Sequence, residues 1–163
     1  MPDIAENQIL PNMPNSAIDA MILAGSGPEP EFDSIMKSHL REREAELLER
    51  CNSGQSLLEV ASLGHRNPWL YRLTFHTEGL IRNGSGDVET ATRHTVALRF
   101  LPDYLRRADR FQMLNLVEPT NAFHPNIAQG AICVEIYPGE PLLAICQSLH
   151  DLFRWRLRQY DER

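Results

Sequence analysis

In the stretch "FHPNIAQGAICVEI", Cys133 stands at the edge of an apolar run, seven residues after Asn126 and nine after His124. A thiol in such a place has two chemical futures. As a thiolate it can attack a carbonyl and later be expelled from the same carbon, so it serves as both nucleophile and leaving group. As a thiol it can simply be a small core hydrophobe, because free cysteine is among the most buried residue types. Hydrolysis on Cys133 would need a base and an orienting group beside the sulfur, and His124 is the one nearby base. Cys51 and Cys146 bring the count to three, with no CxxC pair, so at least one thiol stays unpaired. Cys146 falls on the apolar side of a helical pattern and reads as core; Cys51, at a helix end, reads as incidental. His65, His76 and His94 lack metal-ligand spacing, and the "GSG" pieces at 25–27 and 84–86 lack any phosphate-loop context. Neither a metal nor an organic cofactor is expected.

The elements that must position this segment follow from composition and pattern. A chain of 163 residues with 42% hydrophobic content is the size of one domain and can bury a core without disulfides. A net charge of -6 argues against nucleic acid or an anionic membrane as a general partner. With no signal-peptide pattern and no apolar run near 18 residues, the expected home is a reducing cytoplasm. Residues 1–30 are rich in Pro, Gly and Asn and read as an N-terminal extension, in which "AIDAMILA" could form a short turn of helix. The domain is expected over 31–163. It opens with an amphipathic helix, "FDSIMKSHLREREAELLERC", capped by Asp33, with Ile35, Met36, Leu40, Leu47 and Leu48 partly sharing a stripe. Gly54 is suited to stop it.

Four strands are expected at 57–63, 69–76, 94–101 and 111–118, clearest where "YRLTF", "TVALRF" and "MLNLV" alternate apolar and polar. The separators "GHRNP" and "RNGSGDVE" read as connections of a meander. A last helix, "PLLAICQSLHDLFRWRLRQY", has Pro141 suited to its first turn and an apolar side from Leu142 through Trp155 or Leu157. Helix, four strands, irregular segment, helix is an α+β layout, with the irregular segment held between sheet and packing helix.

The segment "FHPNIAQGAICVEI" resembles the active-site signature of ubiquitin-conjugating enzymes, in which an HPN tripeptide precedes a glycine and a short "IC" motif. The resemblance spans about residues 32–158 and includes "YRLTFHTEGLI" and "LPDY". It departs from the family in three places: the Asn126-to-Cys133 spacing is one residue shorter than in the usual eukaryotic pattern, "LPDYLRRADRF" lacks a second proline, and no tryptophan follows the cysteine. A single C-terminal helix makes it similar to abbreviated bacterial members found in anti-phage defence operons.

The resemblance implies a four-stranded antiparallel meander flanked by the two helices, and acyl transfer through a thioester on Cys133. The implied partners are an activating, adenylating enzyme that spends the ATP, a ubiquitin-like modifier, and a target amine. Asn126 is implied either as a donor to the oxyanion of the second step or as a brace of the loop. His124 is implied as a structural anchor, Pro125 as a backbone constraint, and Gly130 as part of the motif. Glu135, Tyr137 and Glu140 are candidates to orient or deprotonate an incoming lysine, against the alternative of solvated loop residues. The charged face of "KSHLRERE" is either solvated or the surface that receives the activating enzyme. Lys37 is the one lysine, against fifteen arginines. That balance suits GC-rich coding, and equally a protein that carries an activated acyl group and displays few amines, because guanidinium is not nucleophilic. A non-catalytic adaptor of the same fold is the rival expectation.

Overall fold

The computed structural model describes residues 17–52 and 57–154. Its centre is a four-stranded antiparallel sheet, β1 (Leu58–Ser62), β2 (Leu70–Phe75), β5 (His94–Arg99) and β6 (Leu114–Glu118), in the order β1-β2-β5-β6. Alternation gives the sheet one apolar face. Register pairs Tyr71 with Leu98 and Leu73 with Val96, and Val96 and Leu98 in turn pair with Leu116 and Leu114. These six side chains therefore lie on one side, and all are buried.

Two helices cover that apolar face. Helix α2 (Ser34–Asn52) starts where Asp33 accepts a hydrogen bond from the Met36 N–H at 2.8 Å, the expected cap. It buries Met36, Leu40 and Leu47, whereas Ile35 and Leu48 are exposed, so the apolar stripe is narrower than expected. Its stop at Gly54 lies outside the described residues. Helix α4 (Leu142–Phe153) follows Pro141 and buries Leu142, Ile145, Cys146, Leu149, Leu152 and Phe153. Trp155 and Leu157 lie outside the described residues.

Three local features differ from the sequence expectation. The "RNGSGDVE" connection is part of a separate hairpin, β3 (Gly79–Arg82) with β4 (Val88–Ala91), whose short strands carry too little apolar alternation to stand out. Residues 110–113 are not strand but a short helical turn, α3 (Arg110–Met113), because Asp109 caps it by accepting from the Phe111 N–H at 3.0 Å. The "AIDAMILA" piece belongs to a ten-residue helix, α1 (Ala17–Ser26), which lies against the chain rather than apart from it. Its Asp19, 1% exposed, pairs with Arg72 of β2 at 2.9 Å, and Ile22 is buried beside it. Arg72 neighbours Tyr71 and Leu73 along the strand and so points to the opposite face, which places α1 on the outer side of the sheet.

Candidate active site

The segment after β6 folds into a very small hairpin. Strands β7 (Ile127–Ala128) and β8 (Ala131–Ile132) pair through a two-residue turn in which both Gln129 (φ 51°) and Gly130 (φ 83°) are left-handed. Positive φ at both turn positions is the tight hairpin geometry compatible with strand twist, and glycine tolerates it best. The segment from Asn126 to Cys133 is thus spanned by a turn of minimal length. The hairpin is seated on the sheet by the Leu116 N–H, which donates to the Gly130 carbonyl at 2.8 Å.

Asn126 and Cys133 flank this hairpin and face each other. The Cys133 N–H donates to the Asn126 carbonyl at 2.7 Å, and the Asn126 side-chain Nδ2 donates to the Cys133 carbonyl at 2.9 Å. Asn126 is buried, Cys133 half-buried. His124 is buried beneath them, and its Nδ1 accepts from the Asn126 N–H at 2.9 Å. An accepting Nδ1 means that a neutral His124 carries its proton on Nε2. Pro125 is exposed between these two inward-facing residues.

The stretch that follows is a second turn. The Glu140 N–H donates to the Tyr137 carbonyl at 3.0 Å, the Tyr137 N–H donates to the Glu140 carboxylate at 3.0 Å, and Gly139 takes φ 74°. The Glu135 carboxylate accepts from the exposed Tyr137 hydroxyl, and that hydrogen bond with the carboxylate's charge pushes the phenol pKa up. Glu135, Tyr137 and Glu140 thus form a connected group a few residues after Cys133. The whole turn is anchored by Tyr104, fully buried, whose hydroxyl donates to the Glu140 carbonyl at 2.6 Å.

The "LPDY" stretch contains this anchor, but nothing in the sequence points to its partner. Asn115 was also missed: its Oδ1 would lie 2.8 Å from a Cβ placed on Gly130, so it closes the space beneath the turn. Asn121 is a third. Its Nδ2 donates to the Arg82 carbonyl at 2.9 Å, and the Arg82 N–H donates to the Asn121 carbonyl at 2.9 Å, stitching β3 to the approach of the HPN tripeptide. Neither asparagine carries a sequence signal beyond its amide.

Cys146 is 3% exposed, and burial pushes its thiol pKa far above the ordinary range. It is a core residue. Cys51 is half-buried near the end of α2. No group of three or more His, Cys, Asp or Glu able to hold a metal comes together among the described residues. On α2, Ile35, Ser38, His39 and Glu42 form with Leu105 an open groove of about 470 Å³.

Human ubiquitin-conjugating enzyme E2 G1 superposes with a TM-score of 0.50 at 17% identity, over 72% of this chain and 93% of that one. The fold is ubiquitin-conjugating-like. No protein-family model matches the sequence, and no curated protein matches it. Among the described residues, no helix is long and apolar enough to cross a membrane.

Proposed function

We propose that this chain is a ubiquitin-conjugating-like transferase with Cys133 as its acyl carrier. The observation that carries the proposal is a half-buried cysteine whose backbone N–H and carbonyl are joined by reciprocal hydrogen bonds to an HPN asparagine, on a ubiquitin-conjugating-like fold. The Cys133 thiolate attacks the thioester that links the C-terminal glycine of a ubiquitin-like modifier to a separate activating enzyme. A new S–C bond forms, and the activating enzyme's thiolate leaves. An amine of the target protein then attacks the same carbonyl carbon. The tetrahedral oxyanion collapses, the Cys133 thiolate is expelled, and the ammonium proton passes to solvent or to a nearby carboxylate such as Glu135 or Glu140.

Asn126 has a part in either step, as brace or as donor. One of its two amide N–H bonds holds the Cys133 carbonyl, and the other is chemically able to meet an oxyanion. The exposed side of α2 receives the activating enzyme, and the setting is a bacterial, cytoplasmic anti-phage system; these parts are supported by the resemblance of the HPN segment alone. A second function, a non-catalytic adaptor that binds a modifier or partner enzyme, is favoured by the same Asn126 contact, since that amide is already engaged.

The test is incubation of the protein with free modifier and, separately, with modifier, ATP and the activating enzyme. The transferase forms an adduct from the activated species alone, and a thiol reductant releases it. No adduct from the cognate activated modifier would leave the adaptor.

A further inference from the structure

The hydrogen-bonded residues behind Cys133 lead through His124 to a very small cavity. It measures about 10 Å³ and is lined by His94 and His124 together with Gly79, Leu80, Ile127 and Phe153. His94, on β5, is 0% exposed and stacks on Phe153 with ring centroids 4.5 Å apart and planes 23° from parallel. Its Cε1 and Nε2 atoms lie close to Gly79, where an added Cβ would sit 2.5 Å from each.

Both His94 ring nitrogens are buried and make no hydrogen bond of good geometry among the described residues. Burial holds the ring's pKa below the ordinary 6.5, outweighing the Thr77 carbonyl, which favours the charged form. A neutral imidazole presents one N–H and one bare nitrogen; the Thr77 carbonyl can meet only the N–H, and leaving the bare nitrogen unmet inside a protein is unfavourable. A cavity of about 10 Å³ is the space that one water centre requires. Water can donate to the bare nitrogen or accept from the N–H, so it suits either tautomer of His94.

We propose that His94 is a positioning residue for the active-site loop, holding the His124 ring through one buried water in the cavity that the two imidazoles share. The water accepts from Nε2–H of His124 and donates to His94. This favours the tautomer in which Nδ1 of His124 is free of a proton and can accept from the Asn126 N–H. The orientation of Asn126, and through it the Cys133 backbone, then depends on a strand residue that touches neither. Calling the loop an active site rests on the proposed function, so the test reads the loop without requiring transfer.

A high-resolution crystal structure of the full chain is expected to show one ordered water within hydrogen-bond reach of a His94 nitrogen; a dry cavity overturns the proposal. Nitrogen NMR of labelled histidine is expected to show His124 protonated at Nε2. His94→Phe keeps the stack on Phe153 and removes both nitrogens. In it the His124 signals are expected to move toward mixed tautomers, and Cys133 alkylation by iodoacetamide to change about threefold to tenfold. His94→Gln, which keeps polar atoms, is expected to return both toward wild type. His124 signals unchanged in His94→Phe would overturn the proposal whatever the alkylation rate or melting temperature. If His94→Phe does not fold, the wild-type water and the His94→Gln spectra decide the matter. A chain that shows the water and the tautomer but forms no modifier adduct would lose the transferase function and keep this inference.

Discussion

Asn126 and Cys133 hold each other by two reciprocal hydrogen bonds, backbone to backbone at 2.7 Å and side chain to backbone at 2.9 Å. Removing the Asn126 amide strips one donor from the Cys133 carbonyl. Asn126→Ala is expected to lower stability by about 1–2 kcal/mol, read as a shifted denaturant midpoint. If the amide also meets the oxyanion, loading of Cys133 persists while discharge to free lysine slows by about 10²- to 10³-fold. Equal loss of loading and discharge would leave the brace as its sole role.

Cys133 and Cys146 are expected to respond oppositely to the same reagents. Iodoacetamide should modify Cys133 in the native protein and spare Cys146, whose thiolate is suppressed by burial. Cys133→Ser should convert the adduct from one that reductant releases to an oxygen ester that it does not. Cys146→Ser should leave the adduct reductant-sensitive while lowering the melting temperature, since a hydroxyl would replace a core thiol. Mass spectrometry of the intact adduct distinguishes these outcomes, and an adduct surviving in Cys133→Ala would exclude Cys133 as the carrier.

Gly130 is the point at which backbone and packing constraints coincide. At φ 83° and with Asn115 Oδ1 2.8 Å from an added Cβ, Gly130→Ala meets both a strained conformation and a close contact. A loss of about 1–3 kcal/mol is expected. Asn115→Ala in the same chain removes the contact and leaves the strain, so part of that loss should return in a double-mutant cycle. Full additivity would mean that the contact contributes nothing.

The strands and both large helices were legible because burial alternates along "YRLTF" and "TVALRF" and because Asp33 and Pro141 mark helix starts. The same logic failed where apolar pattern was thin. The hairpin of β3 and β4 is held largely by backbone pairing and by Asn121, and α1 by its buried Ile22 and the ion pair between Asp19 and Arg72, which lie far apart in the sequence. Cys133 and Asn126 were legible through a short motif. Their support was not, because Tyr104, Asn115 and His94 reach the site only through chain reversals that no local pattern encodes. Exposure of Ile35 and Leu48 shows the converse error, with an apolar residue read as core because its spacing fits a helix.

Acid should destabilise the protein through its buried imidazoles. Burial is the largest cause lowering the pKa of both His94 and His39, with the Arg43 charge adding to it at His39. The unfolded chain, with histidines near 6.5, therefore binds protons that the folded chain refuses. Stability from these groups is complete above 6.5 and is lost as pH falls from there toward the depressed folded values. For each histidine the slope in that window is at most about 1.4 kcal/mol per pH unit. Urea midpoints between pH 7.5 and 5, a window of about one to two units below the unfolded value, should fall for wild type. His94→Phe, with no imidazole to protonate at that position, should show a shallower fall, and His39→Gln a smaller reduction because that side chain is only partly buried. Identical pH profiles for wild type and His94→Phe would mean that His94 takes up a proton as readily in the folded chain as in the unfolded one, contrary to its burial.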